Sequence, residues 1–78
     1  NYPDKAYRRG VTGYAKLKYV VDLSGLATDI EIIEESPLGV GFGKESVKAL
    51  KKWRFEPAEI NGIPIRSDTL EIRFSFAE

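Results

Sequence analysis

The strictest pattern in this chain is the alternation of apolar and polar side chains in TLEIRFSF, residues 69–76. The apolar positions of this stretch are Leu70, Ile72, Phe74 and Phe76. Because successive side chains of a strand point to opposite faces, the alternation predicts a β-strand with one buried face. The backbone of such a strand has two hydrogen-bonding edges, so the fold is constrained by what pairs with each of them.

Nearer the start of the chain, residues 11–34 are predicted to form a β-hairpin. Residues 11–23 alternate in the same way and begin with small residues, Gly13 and Ala15, which leave room for close packing. Ser24–Gly25 is a turn signal, and residues 26–34 form a second strand. The positions expected to face inward are Val11, Leu17, Tyr19, Val21, Leu23, Thr28, Ile30 and Ile32.

Residues 42–54 are predicted to form an amphipathic helix. Its apolar arc contains Phe42, Ser46, Val47, Ala49, Leu50 and Trp53. Trp53 is expected to be the main core anchor, since it is the largest side chain of a small domain. The opposite arc is basic and contains Lys44, Lys48, Lys51 and Lys52. These lysines could meet an acidic partner or membrane headgroups, but the interpretation favoured here is an ordinary solvated helix face.

The order strand, strand, helix, strand limits the topology. Residues 54–68 are expected only to turn the chain around, with Pro57 after the helix and a turn at Asn61–Gly62. A right-handed crossover places the first strand between the other two. The prediction is an α+β fold: a three-stranded antiparallel sheet in the order 2-1-3 with the helix on one face, preceded by a short helix at residues 2–10. The outer edge of residues 70–75 is then open to a partner.

Composition removes several classes of function. The 78 residues include no cysteine and no histidine, which excludes disulfides, thiolate metal sites and a histidine base. Twelve basic and twelve acidic residues cancel, which argues against a nucleic-acid binder. The carboxylates are expected to be surface groups. We therefore expect no enzyme activity, no cofactor, and no catalytic or metal-binding residue.

Two weaker alternatives concern particular stretches. GVGFGKE has glycines but lacks the order of a phosphate-binding loop. IRFSF is similar to the strand of RNA-recognition domains whose exposed rings stack on bases. Because Phe74 and Phe76 share a face with Leu70 and Ile72, they are expected to be buried. RNA binding is thus a weak second class.

Six features in register resemble the C-terminal domain of TonB-type energy transducers of Gram-negative bacteria, over nearly the whole chain. The most specific is Trp53-Arg54-Phe55-Glu56-Pro57, similar to the W-R-[FY]-x-P signature at the helix exit of that family. The others are Tyr2-Pro3 with Ala6 and Gly10, Gly13 with the strand to Asp22 and the turn at Gly25, Ser36-Pro37, Gly62, and Ile72-Arg73-Phe74.

The resemblance implies structural roles for the signature. Trp53 would anchor the core, Pro57 would end the helix, and Gly13 would let the ring approach the strand. Arg54 and Phe55 complete the same motif. None of these residues is implied to be catalytic.

The resemblance also implies a function. Such a domain lies in the periplasm, is anchored to the inner membrane by a segment outside this 78-residue fragment, and depends on ExbB and ExbD for proton-motive force. It grips the TonB box of outer-membrane receptors for siderophores or iron, haem or cobalamin. The grip is β-strand addition to the last strand, at Leu70, Glu71, Ile72, Arg73, Phe74 and Ser75, with Asn1 and Tyr2 as candidate contacts on the flank of the peptide.

One alternative remains open at this point. A structural or dimerising periplasmic module would pair the same edge with a second copy of itself, so the protein could be a monomer or an edge-paired dimer. The alternation of apolar and polar residues cannot distinguish a receptor peptide from a second copy of the domain, because either partner would pair with the same backbone groups.

Overall fold

The computed structural model describes residues 10–77. Its elements, in chain order, are β1 (Gly13–Val21), β2 (Ala27–Ser36), α1 (Phe42–Lys52), β3 (Ala58–Ile60), β4 (Ile63–Ile65) and β5 (Leu70–Phe76). The main sheet is antiparallel in the order β2-β1-β5, with α1 packed against β1 and β2. The predicted α+β fold and sheet order are therefore confirmed. The helix predicted at residues 2–10 lies outside the described residues, apart from Gly10.

The central strand β1 follows its sequence pattern closely. Ala15, Leu17, Tyr19 and Val21 are buried on the face that meets α1. Leu23, which was expected to continue this inward series, is 60 % exposed. The strand has ended two residues before Leu23, so alternation no longer determines where its side chain lies.

Strand β2 departs from simple alternation because it is bulged. Its register with β1 shifts between Lys16 and Leu17 and again between Lys18 and Val20. A bulge adds one residue to one strand and changes which face the following side chains occupy. Ile32, expected to face inward, lies near Gly43 of α1 but remains 45 % exposed.

The helix begins at Phe42, as predicted, and ends at Lys52, two residues early. Gly41, the residue before it, has no side chain with which to cap the first turn. Glu35 of β2 fulfils this role from the neighbouring strand: its Oε2 accepts a hydrogen bond from the Gly43 amide at 3.1 Å. A carboxylate at this position satisfies one unbonded amide and interacts favourably with the helix dipole.

The core is built around Phe42 rather than Trp53. Phe42, Leu17 and Leu50 are fully buried, and the ring of Phe42 stacks on Phe76 with centroids 4.4 Å apart. Trp53 is 41 % exposed, so the expectation that it is the main core anchor is wrong. The physical reason is local: the backbone is already extended at Trp53, which takes its side chain off the buried arc of the helix.

Gly13 is a point of close approach, but to a different ring from the one expected. A Cβ built on Gly13 would lie 2.8 Å from Cε2 of Phe42 and 1.9 Å from the carbonyl oxygen of Ser36. The absent side chain therefore lets β1, β2 and the start of α1 meet. The ring that it admits is that of Phe42, not that of Trp53.

Residues 54–68 contain a short β-hairpin, where only a turn was expected. Strands β3 and β4 pair as a two-stranded hairpin across Asn61 and Gly62, which have φ of 52° and 80°. Positive φ at both central residues is typical of tight hairpin turns with an Asn-Gly sequence. Ile60 and Ile63 next to the turn are exposed, so no alternation marks these short strands.

Candidate functional site

The outer edge of β5 is the leading candidate for a binding site. Strand β5 pairs with β1 without any register shift, from Leu70 opposite Tyr19 to Phe76 opposite Gly13. Within residues 10–77 no strand lies on the other side of β5. In an antiparallel strand the backbone groups alternate between the two edges. Residues 70–75 therefore present a regular series of donors and acceptors along an open edge.

The other outer edge of the sheet, on β2, is a poorer template. It contains two register shifts, and Asp29 has a φ of 53°. Bulges bend a strand and increase its twist, which is one way in which proteins protect sheet edges from unwanted pairing. The contrast favours β5 as the edge that accepts a partner.

The polar face of β5 is solvated, as expected. Glu71, Arg73 and Ser75 are exposed. The guanidinium of Arg73 lies over the ring of Tyr14 in β1, 4.0 Å from its centroid. Arg73 is therefore held in place by a cation–π contact on the sheet surface.

Tyr14 links this contact to β2. Its hydroxyl donates a hydrogen bond to Oε2 of Glu34. That hydrogen bond raises the pKa of Tyr14 above its ordinary value, with smaller contributions from desolvation and the Glu34 charge, while the positive charge of Arg73 acts in the opposite direction. The three side chains form one polar row across the sheet, from β2 to the β5 edge.

The apolar face of β5 lies beside the end of α1. Phe76 is buried, and Phe74 is half-buried with its ring 5.3 Å from that of Trp53. A groove of about 370 Å³ runs between this part of β5 and the helix. Its lining includes Ala49, Trp53, Phe74 and Phe76. The groove thus lies on the helix side of the last residues of β5, from Phe74 to Phe76.

The predicted site residues separate into two groups. Leu70 to Ser75 come together on β5, whereas Trp53, Arg54, Phe55 and Pro57 form the exit from α1. Phe55 closes that exit: its amide donates to the carbonyl of Gly25 at 2.8 Å and its ring lies 5.6 Å from that of Tyr19. Arg54 is exposed. Asn1 and Tyr2 lie outside the described residues.

Two residues at or near the site were not identified as such from the sequence. Ala49 lines the groove, and its place on the helical arc gave the only signal. Glu35 orients the start of α1, but it was grouped with the surface carboxylates because its contact depends on the bulged register of β2.

Two further cavities lie at the other end of the sheet, one of about 410 Å³ lined in part by Val21, Phe55, Ile65 and Leu70, and one of about 590 Å³ between the β1–β2 turn and β4. In the described part of the chain no group of acidic side chains could hold a metal ion, and no helix is long and apolar enough to cross a membrane. The four lysines of α1 are exposed, and one of them, Lys48, lies 3.6 Å from Glu45.

Comparisons with known proteins agree with this fold. The family described as the C-terminal part of the Gram-negative bacterial TonB protein matches residues 1–77. Protein TonB of Yersinia enterocolitica is 38 % identical over 55 residues, which is 70 % of this chain and 21 % of the relative. Protein TonB of Pseudomonas aeruginosa is 36 % identical over 61 residues, 78 % of this chain and 18 % of the relative. The chain thus spans about a fifth of the length of these relatives.

Two solved structures share the architecture. The solution NMR structure of the TonB C-terminal domain from Pseudomonas aeruginosa matches with a TM-score of 0.83 and 31 % identity, covering 100 % of this chain and 77 % of that one. The structure of the TonB2 protein from Vibrio anguillarum matches with a TM-score of 0.74 and 32 % identity, and the match covers 99 % of this chain and 72 % of that one.

Proposed function

Because this chain belongs to the family of Gram-negative TonB C-terminal domains, we propose that it is the receptor-gripping end of a periplasmic energy transducer. It adds the TonB box of an outer-membrane receptor as a new strand beside β5. The observation that carries the proposal is the open, unbulged edge of residues 70–75. The bulged edge of β2 has no such regularity.

Strand addition suits a partner that must be caught and released. Main-chain hydrogen bonds are made by any extended sequence, so one domain can serve several receptors. Each bond contributes only about 0.5–1.5 kcal/mol net. A short peptide then binds at roughly micromolar Kd, or about −8 kcal/mol.

The rest of the transducer supplies what this domain lacks. The domain is part of a longer protein anchored in the inner membrane, where ExbB and ExbD deliver the proton-motive force. Force transmitted through the gripped strand opens the receptor for siderophores or iron, haem or cobalamin. The match to about a fifth of each of these relatives is consistent with one domain of a longer protein.

A proline scan of residues 70–75 tests the grip, with receptor N-terminal peptides titrated into isotopically labelled domain and followed by NMR. Proline removes one amide donor. At positions whose amide points outward it should weaken peptide binding and leave the domain folded, whereas at the intervening positions it should break the pairing with β1. Retention of full affinity in folded outward-edge proline variants would show that the peptide binds elsewhere.

The same variants test the edge-paired dimer, which requires the same backbone groups. Sedimentation of the wild-type domain with and without peptide separates the two partners. Strand addition to a receptor predicts that the peptide binds a monomer, or competes with any dimer for β5. A dimer unaffected by saturating peptide would favour the dimerising module.

A further inference from the structure

The β3–β4 hairpin has one face that is entirely apolar. Cross-strand partners share a face, and so do residues two apart in a strand. The Cα pairs Ala58–Ile65 and Ile60–Ile63 therefore lie on the same side of the hairpin. Glu59, from the middle of β3, lies on the other side. We call Ala58, Ile60, Ile63 and Ile65 the apolar hairpin face.

The two ends of the apolar hairpin face have different surroundings. Its near end continues into the cavity of about 410 Å³, which Ala58 and Ile65 help to line. At its far end Ile60 and Ile63 are 58 % and 67 % exposed. A two-stranded hairpin is only marginally stable in water unless its apolar face packs against something. In the described part of the chain, most of the far end is left open.

The hairpin is attached to the main sheet at both of its ends. Before β3, the amide of Phe55 donates to the carbonyl of Gly25 at 2.8 Å. After β4, the amide of Ser67 donates to the carbonyl of Val21 at 3.0 Å, and Oγ of Ser67 accepts from the amide of Val21 at 2.9 Å. Because these bonds fix the hairpin to the end of β1 and to the turn after it, the exposed isoleucines belong to a positioned surface.

The lining of the cavity is acidic where it meets solvent. Glu56 and Asp68 belong to this lining and are exposed. The third charged residue of the lining, Arg66, is already paired with Asp29 of β2. No ion pair among residues 10–77 involves Glu56 or Asp68. Two carboxylates are therefore free to face a cation of a partner.

We propose that the apolar hairpin face and the adjoining cavity form a docking surface for an amphipathic helix of a partner protein. The helix places one aliphatic side chain in the cavity and a second, one turn away, over Ile60 and Ile63. A lysine or arginine on its flank faces Glu56 and Asp68. The inference goes beyond the proposed function, because it does not depend on strand addition to β5.

A helix fits the geometry of this surface. The pair that lines the cavity and the exposed pair are two residues apart, which is about 6.6 Å along the strands. Residues i and i+4 of a helix are about 6 Å apart along its axis and share a face. A helix buries its apolar stripe against the face of a sheet, whereas an extended segment pairs with an edge.

The charge of the cavity lining selects among the occupants of this surface. An anionic lipid surface would be repelled by Glu56 and Asp68. A second copy docked through the same face would bring the like-charged carboxylates of two chains into one interface, which is unfavourable. A basic amphipathic helix gains both from the burial of the isoleucines and from the opposite charge.

Selection of peptides from a random library displayed on phage, against the wild-type chain, tests the surface. Enriched peptides should have aliphatic residues at helical spacing together with a lysine or arginine, and should shift the δ1-methyl resonances of Ile60 and Ile63. Ile63→Ser should weaken their binding by about tenfold, because one buried aliphatic contact is lost. Leu38→Ser is the matched control, since Leu38 is 78 % exposed in the connection between β2 and α1, and it should leave the affinity unchanged. Far-ultraviolet circular dichroism checks that both variants are folded.

The acidic lining is tested by the double variant Glu56→Gln with Asp68→Asn. It should weaken the binding of the selected peptides by about threefold at low salt and by less at high salt. The control, Glu59→Gln with Glu31→Gln, changes the net charge equally but at carboxylates outside the cavity lining. Equal losses in the two double variants would overturn the assignment of Glu56 and Asp68.

The remaining outcomes decide the occupant. An enriched set that binds Ile63→Ser as tightly as wild type would overturn the docking surface. Sedimentation that shows self-association abolished by Ile63→Ser would assign the face to a second copy, and binding to phosphatidylglycerol vesicles abolished by the same change would assign it to lipid. The outward-edge proline variants of β5 should keep the selected peptides. Loss of these peptides in the proline variants would place them on β5 and overturn the inference, whatever the outcome for the receptor peptide.

Discussion

The ring of Phe42 packs so close to Gly13 that no side chain fits at position 13: a Cβ there would lie 2.8 Å from Cε2 of Phe42. The same atom would be 1.9 Å from the carbonyl oxygen of Ser36, which is backbone and cannot turn aside. The first strand, the second strand and the start of the helix are thus fixed against each other at one small residue.

Gly13→Ala should therefore destabilise the domain strongly, by about 2–4 kcal/mol in the free energy of unfolding, since overpacking against backbone forces the strands apart. Gly43→Ala is the matched control. Its added Cβ would meet side-chain atoms of Glu35 and Ile32 instead of backbone. Displacing Glu35 loses the cap on the Gly43 amide, at a cost of about 1 kcal/mol that the preference of alanine for the helix partly offsets. Urea unfolding followed by circular dichroism measures both, and equal losses would contradict the backbone clash at Gly13.

Phe42→Ala should cost more stability than Trp53→Ala. Phe42 is fully buried and stacked on Phe76, so its removal leaves a cavity and costs about 3–5 kcal/mol. Trp53 is 41 % exposed, and its loss removes less buried surface, about 1–2 kcal/mol. Thermal and urea unfolding measure the loss of stability in each variant. A larger loss for Trp53→Ala than for Phe42→Ala would show that Trp53 is the core anchor after all.

The difference between Phe42 and Trp53 shows how far the sequence could lead. Alternation located β1 and β5, and helical periodicity placed both aromatic residues on one arc. Periodicity cannot tell where a helix stops, and α1 ends one residue before Trp53. The side chain that is lost from the core in this way becomes part of the groove beside β5.

Strand β2 shows a second limit of prediction from sequence, because its bulges are not encoded in an alternating pattern. A bulge depends on how two strands pair, so the shifts opposite Leu17 and Val20 could not be read from residues 26–34 alone. The same shifts determine which edge of the sheet is regular. The candidate edge on β5 was predictable from sequence, whereas the reason to prefer it over β2 came from the structure.

Glu35 provides a third prediction, because it caps α1 from a different element. Glu35→Ala removes the acceptor for the Gly43 amide and should cost about 1 kcal/mol. Glu35→Gln keeps an acceptor but loses the charge near the helix N-terminus, and should cost about 0.3–1 kcal/mol. Glu31→Ala, which removes only an exposed ion pair with Lys18, should cost less than about 0.5 kcal/mol. A loss for Glu35→Ala no larger than for Glu31→Ala would exclude the capping role.

Tyr14 provides a prediction about pH. Its hydrogen bond to Glu34 raises the pKa of the phenol above its ordinary value of 10.0, so the protonated hydroxyl is favoured in the folded state. A raised pKa adds stability that is fully present below the unfolded pKa and is lost as the pH rises through the folded pKa. Titration of the Tyr14 Cζ resonance should show that Glu34→Gln lowers this pKa, while Glu31→Gln leaves it in place. No change in Glu34→Gln would show that the hydrogen bond to Glu34 is not the cause.

The polar side chains of β5 should matter little to the grip itself. Glu71 and Arg73 are exposed on the face of the sheet opposite the helix, whereas the proposed hydrogen bonds lie in the plane of the sheet. Arg73→Ala removes the cation–π contact with Tyr14, worth about 0.5–1 kcal/mol of stability at an exposed site, and leaves the backbone donors in place. Peptide affinity measured by NMR titration should therefore change by less than about threefold in Glu71→Ala and Arg73→Ala, in line with the small energies of exposed charges. Outward-edge prolines in the same strand should weaken binding far more. If alanine at Arg73 were as damaging as those prolines, recognition would depend on side chains of the sheet surface, and the peptide would lie across the face of β5 instead of along its edge.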